Sequence, residues 1–170
     1  MLSNENELSL ITLIIQNTKG VLAKVASFCS ENGMNIEKLT LSNFKADNKQ
    51  QRIVLYVSGN RVRINNLLEN FKQIPEVIDI KNFQSNQYLE RELVLLKIKD
   101  NNPNLPKVSE LVNEYNGNTI FFRNNIIIFQ FINEEEKNNE LTQRVENLTS
   151  DVEILKGGII ATSLNDKTNV

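Results

Sequence analysis

Residues Leu8 to Gln16, LSLITLIIQ, are apolar almost without a break, and a run of that length predicts a strand buried in a sheet. After the polar Asn17-Thr18-Lys19-Gly20 the period changes. Leu22, Val25, Ala26 and Cys29 fall at i, i+3, i+4 and i+7, which predicts an amphipathic helix from Gly20 to Asn32, ended by Gly33 in the C′ position. MNIEKLTLSNF and QRIVLYVSG read as two strands joined by a polar hairpin turn at Lys45–Lys49. Ile64, Leu67, Leu68 and Phe71 repeat the helical stripe, Pro75 helps to stop it, and EVIDIKNF alternates as a fourth strand.

The pattern then starts again. Glu92 to Asp100 is strand-like, and Leu105, Val108, Leu111, Val112 and Tyr115 form a helical stripe closed by Gly117. NTIFF and IIIFQFI are strands joined at Arg123-Asn124-Asn125, where asparagine tolerates positive φ. Leu141, Val145 and Leu148 mark a last helix, and DVEILKGGII a last strand. The order is βαββαβ twice over. This predicts an α+β protein of two tandem ferredoxin-like units, each an antiparallel four-stranded sheet with both helices on one face. The expected boundaries are residues 1–86 for the first domain, 87–91 for a linker, and 92–170 for the second domain with a short tail. Each sheet then has one face without helices, and IIIFQFI is apolar on both parities, so an oligomer that covers those faces is expected.

Composition narrows the chemistry. With 40% hydrophobic and 24% charged residues the chain is that of a folded protein, and a formal charge of -2 offers nothing that attracts a polyanion, so no nucleic-acid partner is expected. No apolar run is long enough to span a bilayer and the N-terminus lacks a basic and apolar leader, which excludes a membrane role and predicts a cytoplasmic protein. There is no histidine, which removes the commonest general base and the commonest metal ligand, and the single Cys29 forms no intrachain disulfide. Catalysis is disfavoured, and neither a catalytic nor a metal site is expected.

Two loops at opposite ends of the first helix each pair an asparagine with a glycine. Ahead of it, Asn17 to Gly20 lead into a helix N-terminus whose unpaired amides suit a carboxylate, and Gly20 has no Cβ to keep an anion away. Behind it, Gly33-Met34-Asn35 leads into a strand. Taken alone each loop reads first as ordinary structure: Asn17 or Thr18 as an N-cap, Gly33 as a helix stop, Asn35 as an Asx turn. The loops stand about 20 Å apart along the helix axis, so one ligand meets both only across an interface between copies.

The segment NTKGVLAKVASFCSENGMNIEKLTL, with YLERELVLLKIK from Tyr88, resembles the small, regulatory subunit of acetolactate synthase, also called acetohydroxyacid synthase. That family consists of two consecutive ACT domains, amino-acid-sensing modules of βαββαβ order. The motif N-x-x-G-[VA]-L is common to many ACT domains, and its combination with G-x-N-I-E-x-L and E-R-E-L is more specific. The resemblance implies a subunit without an active site that binds and activates a large catalytic subunit and confers feedback inhibition, typically by valine, in branched-chain amino acid biosynthesis. Thiamine diphosphate, Mg and FAD are then expected only on the catalytic partner, with no cofactor here. It implies a homodimer in which the amino acid sits between the first domains of two copies. Asn17, Gly20, Val21 and Leu22 would contact it from one side, and Asn35 and Ile36 from the other, with Val21, Leu22 and Ile36 lining an apolar pocket. Organelle stroma replaces cytoplasm if the chain is plastid-encoded. The rival reading is a stand-alone ACT sensor for a different partner.

The second unit departs from the pattern. Its first loop, KDNNPNLPK (Lys99–Lys107), has no N-x-x-G and is expected to bind no amino acid, while the C-terminal half is implied to contribute more to activation. The ending GGIIATSLNDKTNV resembles the family's close only loosely. Elsewhere the structural reading suffices: Cys29 as a core residue, Glu90-Arg91-Glu92 as a solvated linker with a surface ion pair, Glu134–Glu136 as complements of a helix dipole, and Gly157-Gly158 as a bulge or close contact. An acylphosphatase-like enzyme would need an arginine where this loop has only Lys19, and an RNA binder would need stacking aromatics and a basic surface.

Overall fold

The first strand, β1 (Glu7–Gln16), lies at the centre of an antiparallel sheet, hydrogen-bonded to β3 (Gln50–Gly59) over the full register Glu7↔Gly59 to Gln16↔Gln50. β2 (Asn35–Asn43) forms the edge beyond β3, and β4 (Val77–Phe83) pairs with the other side of β1, giving the order β2-β3-β1-β4. Two helices, α1 (Val21–Glu31) and α2 (Arg61–Lys72), pack on one face. The computed structural model describes residues 7–83 and 88–164. Residues 1–6 and 84–86 of the expected first domain, residue 87 of the expected linker and residues 165–170 of the tail lie outside these.

The second half repeats the order: β5 (Tyr88–Lys99), α3 (Leu105–Glu114), β6 (Asn118–Arg123), β7 (Ile126–Asn133), α4 (Glu135–Leu148) and β8 (Val152–Ser163), with sheet order β6-β7-β5-β8. The chain is therefore two tandem βαββαβ folds of the ferredoxin-like, ACT type. The described residues divide into two compact units, one of those up to Leu89 together with 161–164, the other of Glu90–Ile160.

Alternation places each core. In the first unit Ile11, Leu13 and Ile15 of β1 and Ile53, Leu55 and Val57 of β3 face Val21, Val25 and Cys29 of α1 and Ile64, Leu67 and Phe71 of α2. In the second, Val94, Leu96, Ile98, Phe129 and Phe131 meet Val108, Leu111, Val112, Leu141 and Val145. Cys29 is a core side chain, and burial pushes its thiol up to about 11.

Several details differ from the sequence expectation. The buried stripe of α1 is Val21, Val25 and Cys29, with Phe28 half-buried, so the helix is rotated from the expected set and Leu22 and Ala26 face outward. No linker separates the repeats at 88–91, because β5 already starts at Tyr88. Glu92 is not solvated: it is fully buried and its carboxylate accepts from Asn138 Nδ2 at 3.1 Å. Asn138, on α4, also donates to the Glu92 carbonyl at 3.0 Å. Glu90 Oε1 instead accepts from the Glu135 amide at 3.3 Å, at the start of α4, where Glu135 and Glu136 complement the dipole.

The left-handed residue that ends α3 is Asn116 (φ 58°), not Gly117. Gly117 is required by space, since a Cβ there would lie 2.5 Å from Val112 Cγ1 and 2.9 Å from the Gln130 carbonyl. Gly157 also marks a close approach, 3.1 Å from the Leu93 carbonyl for a Cβ. The β6–β7 turn is as expected, with Asn124 and Asn125 both at positive φ. The helix-free faces also differ from expectation. In the first unit Leu10, Thr12, Val54 and Tyr56 on that face are already buried, and the Tyr56 hydroxyl lies 3.4 Å from that of Tyr88. In the second, Leu93 and Ile132 remain exposed, so β7 is not buried on both sides within the chain.

Candidate functional site

The corner ahead of α1 is open and tightly shaped. Gly20 holds the N-cap position at φ 86°, a left-handed conformation, and no side chain caps the helix. A Cβ on Gly20 would meet nothing within 4 Å. The first-turn amides of α1 therefore face outward without a side-chain acceptor, the arrangement in which a helix N-terminus attracts a carboxylate. Asn17, expected either as an N-cap or as a ligand contact, caps nothing. Its amide donates to the Lys49 carbonyl at 2.8 Å and its Nδ2 to the Asn48 carbonyl at 2.9 Å, which ties the corner to the β2–β3 turn. Asn48 sits at φ 56° in that turn. Asn17 and Gly20 are exposed, and Asn17 keeps its Oδ1 as an acceptor.

Val21 and Leu22 play unlike parts. The Val21 side chain is buried in the unit's core, so what it offers at the corner is its backbone N–H. Leu22 points outward at 37% exposure and is the apolar group available there. Gly20 also opens onto a groove of about 470 Å³ along α1, lined by Ala23, Lys24, Phe28 and Ile74, where Lys24 is ion-paired with Glu76 at 2.6 Å. Asn17 does not line that groove.

The corner behind α1 is built on Gly33, at φ 63°, and on the start of β2. The Gly33 amide donates to the Ser30 carbonyl and that of Met34 to the Cys29 carbonyl, which closes the helix as expected. Asn35 is exposed and opens β2 opposite Ser58, while Ile36 is half-buried against the core. Asn35 Nδ2 donates to Glu37 Oε1 at 3.0 Å, and Ser58 Oγ donates to the same oxygen at 2.9 Å. These two donors hold the Glu37 carboxyl below the usual carboxylate range. Glu37 was not among the expected contacts, although it stands inside the quoted G-x-N-I-E-x-L; its glutamate reads as a solvated strand residue until Asn35 and Ser58 are seen to converge on it. Within one chain the two corners stay apart, as eleven helical residues at ~1.5 Å each span about 16 Å.

In the second unit the equivalent of the first corner is shut. Asn102, buried, donates through Nδ2 to Thr149 Oγ1 at 3.1 Å and accepts from the Asn104 amide at 2.9 Å, and Asn104 Nδ2 donates to the Leu148 carbonyl at 2.8 Å. Among the described residues, no helix is long and apolar enough to cross a membrane.

Two ferredoxin-like units in tandem, the first with an open glycine corner at a helix N-terminus, define a tandem ACT-type protein. Residues 11–79 match the family model of the AHAS small subunit-like ACT domain, and residues 91–164 that of the small subunit of acetolactate synthase. The chain belongs to the acetolactate synthase small-subunit family. It is 24% identical to the acetolactate synthase small subunit of Buchnera aphidicola subsp. Baizongia pistaciae over 152 residues, covering 89% of this chain and 95% of the relative. To the small subunit of acetolactate synthase isozyme 3 of Escherichia coli it is 20% identical over 158 residues, covering 93% and 96%. The crystal structure of the acetolactate synthase small subunit from Thermotoga maritima superposes with a TM-score of 0.81 over 92% of this chain and 97% of that one, at 22% identity.

Proposed function

We propose that this chain is the non-catalytic regulatory subunit of an acetolactate synthase. It binds the large catalytic subunit, raises its activity, and transmits feedback inhibition by a branched-chain amino acid, valine, in valine, leucine and isoleucine biosynthesis. Family membership supports the partner. The observation that carries the sensing role is the uncapped N-terminus of α1 behind Gly20, a left-handed glycine with open space where a Cβ would stand.

A zwitterion suits the two corners together. In a homodimer that apposes the first domains, the corner of one copy meets the Asn35 corner of its mate. The α1 amides at Val21 and Leu22 take the carboxylate, asparagine oxygens of Asn17 and Asn35 take the ammonium, and Leu22 and Ile36 flank the side chain. A ligand that bridges two copies stabilises their correct apposition, and any difference in affinity between two arrangements of the pair becomes a coupling to the catalytic subunit.

The test is reconstitution with the catalytic subunit from the same source, measuring acetolactate formation with and without this chain and with and without valine. The expected result is activation by the chain, inhibition of the complex by valine, and loss of inhibition with retained activation in Asn17→Ala and Asn35→Ala. Unchanged inhibition in both variants removes the site. Failure of the two proteins to associate favours a stand-alone sensor with another partner.

A further inference from the structure

We propose that Glu37 supplies the anionic group that receives the ammonium of the effector at the Asn35 corner, an assignment that rests on the effector reading of the two corners. Among the described residues, three carboxylates are held below the usual range by donors on their oxygens: Glu37, Glu76 and Glu114. Glu76 is paired with Lys24 at 2.6 Å, and Glu114 with Arg144 at 2.8 Å. Glu37 differs in kind. Its donors, Asn35 Nδ2 and Ser58 Oγ, are neutral, and among the described residues no ion pair with lysine or arginine reaches it. Its charge is oriented but not neutralised.

The local backbone explains the orientation. The β2–β3 register passes from Ile36↔Val57 to Lys38↔Tyr56, so Glu37 is the extra residue of a bulge on an edge strand. A bulge re-aims a side chain relative to the ladder, and here the paired Asn35 and Ser58 fix where it points. Both donors use Oε1, which leaves Oε2 free to accept; Asn35, having turned its Nδ2 to the carboxylate, keeps Oδ1 as a second acceptor. Two adjacent acceptors, one charged, suit an ammonium with three donors. They do not suit a divalent cation, which needs a larger set of oxygen ligands than one carboxylate and one amide provide. The consequence is chemical selectivity: the corner separates an amino acid from an acid of the same carbon skeleton that lacks the nitrogen.

The experiment is calorimetric titration of the full-length chain with L-valine and with 3-methylbutanoate, which is valine without its amino group. Glu37→Gln keeps the oxygen that Asn35 and Ser58 reach and removes only the charge. It is expected to weaken valine about tenfold while changing 3-methylbutanoate by less than about twofold, because only the amino acid loses a charge-assisted contact. Ser58→Ala, which leaves the charge and loosens its hold, is expected to weaken valine by a smaller factor. Equal loss for both ligands would assign Glu37 a structural role only, and no loss for valine would exclude the contact; either overturns the assignment while valine binding that is weakened by Asn17→Ala keeps the two-corner site. If the unaltered chain binds no valine, or Asn17→Ala leaves binding unchanged, the site itself falls and Glu37 with it.

Discussion

The connection from first strand to first helix exists twice in this chain, and the two copies use asparagine to opposite ends. Ahead of α1, Asn17 is exposed and fastens the neighbouring hairpin turn, while Gly20 takes the N-cap position and leaves the helix amides open. Ahead of α3, Asn102 and Asn104 turn inward to Thr149 and the Leu148 carbonyl, and the chain has a proline in the first turn of the helix. Proline at that position fixes φ and removes an amide that would otherwise face a ligand. The same fold thus carries one open corner and one whose asparagines are turned in on their own unit. Neither helix carries a side-chain cap, so the contrast lies in where the asparagines turn, in the glycine at one N-cap and in the proline at the other helix.

The sharpest way to break this contrast is at the glycines that leave the two helices. Gly33 is needed for its conformation, with ordinary contacts around a Cβ, the nearest being Arg63 Nη1 at 3.7 Å. Gly117 is needed for its emptiness, with backbone and Val112 in the way. Gly117→Ala is therefore expected to destabilise the second unit by about 3 kcal/mol, the upper range of overpacking, and Gly33→Ala the first by about 1 kcal/mol, the cost of a left-handed alanine. Hydrogen exchange of the β7 and β1 amides reads the two losses separately. Equal losses would mean that conformation, not space, governs both sites.

Next in size are the asparagines. Asn102→Ala removes a buried side chain that bonds the half-buried Thr149 hydroxyl and the Asn104 amide, and is expected to cost about 2 kcal/mol in urea unfolding with no effect on valine inhibition. Asn17→Ala loses one exposed hydrogen bond, expected to cost about 0.5 kcal/mol, yet removes the inhibition. A stability loss at Asn17 as large as that at Asn102 would make the first corner another structural clamp.

Much of this was legible in the residues. The βαββαβ order, the stripes of α2, α3 and α4, and the asparagine hairpin at Asn124-Asn125 follow from period and turn chemistry, because each is decided by neighbours close in sequence. What failed needed long-range information. On α1 the expected stripe and the buried one share Val25 and Cys29, and spacing alone does not say whether Val21, or Leu22 with Ala26, joins them opposite Phe71 in the core. Glu92 read as solvated because glutamate is rarely buried unpartnered, and its partner Asn138 lies 46 residues away on α4. For the candidate site, the residue types at both corners were readable, but the partners of Asn17 and the convergence on Glu37 depend on the register of β2 and β3.

The smallest effect compares the paired carboxylates of the two units. Glu76 and Glu114 are both held below the ordinary range, the first chiefly by its bond to Lys24 and the second by Arg144. A carboxyl with a depressed folded pKa contributes stability that is present above its unfolded pKa of about 4.5 and is lost as pH falls through the folded value. Glu76→Gln and Glu114→Gln should thus each lower stability at pH 7, and each difference should fade as the pH falls below about 4.5. The two part company in salt. Lys24 meets Glu76 as a point charge through one contact, whereas Arg144 grips Glu114 with two parallel N–H donors at 2.8 and 3.0 Å. At about 1 M salt the Debye length is only about 3 Å, so the charge term is largely screened while the hydrogen-bond geometry of the fork remains. Urea unfolding at pH 7 in high salt should leave Glu76→Gln indistinguishable from the unaltered chain and Glu114→Gln still weakened. The opposite order would mean that the Arg144 fork is held by field rather than by fit.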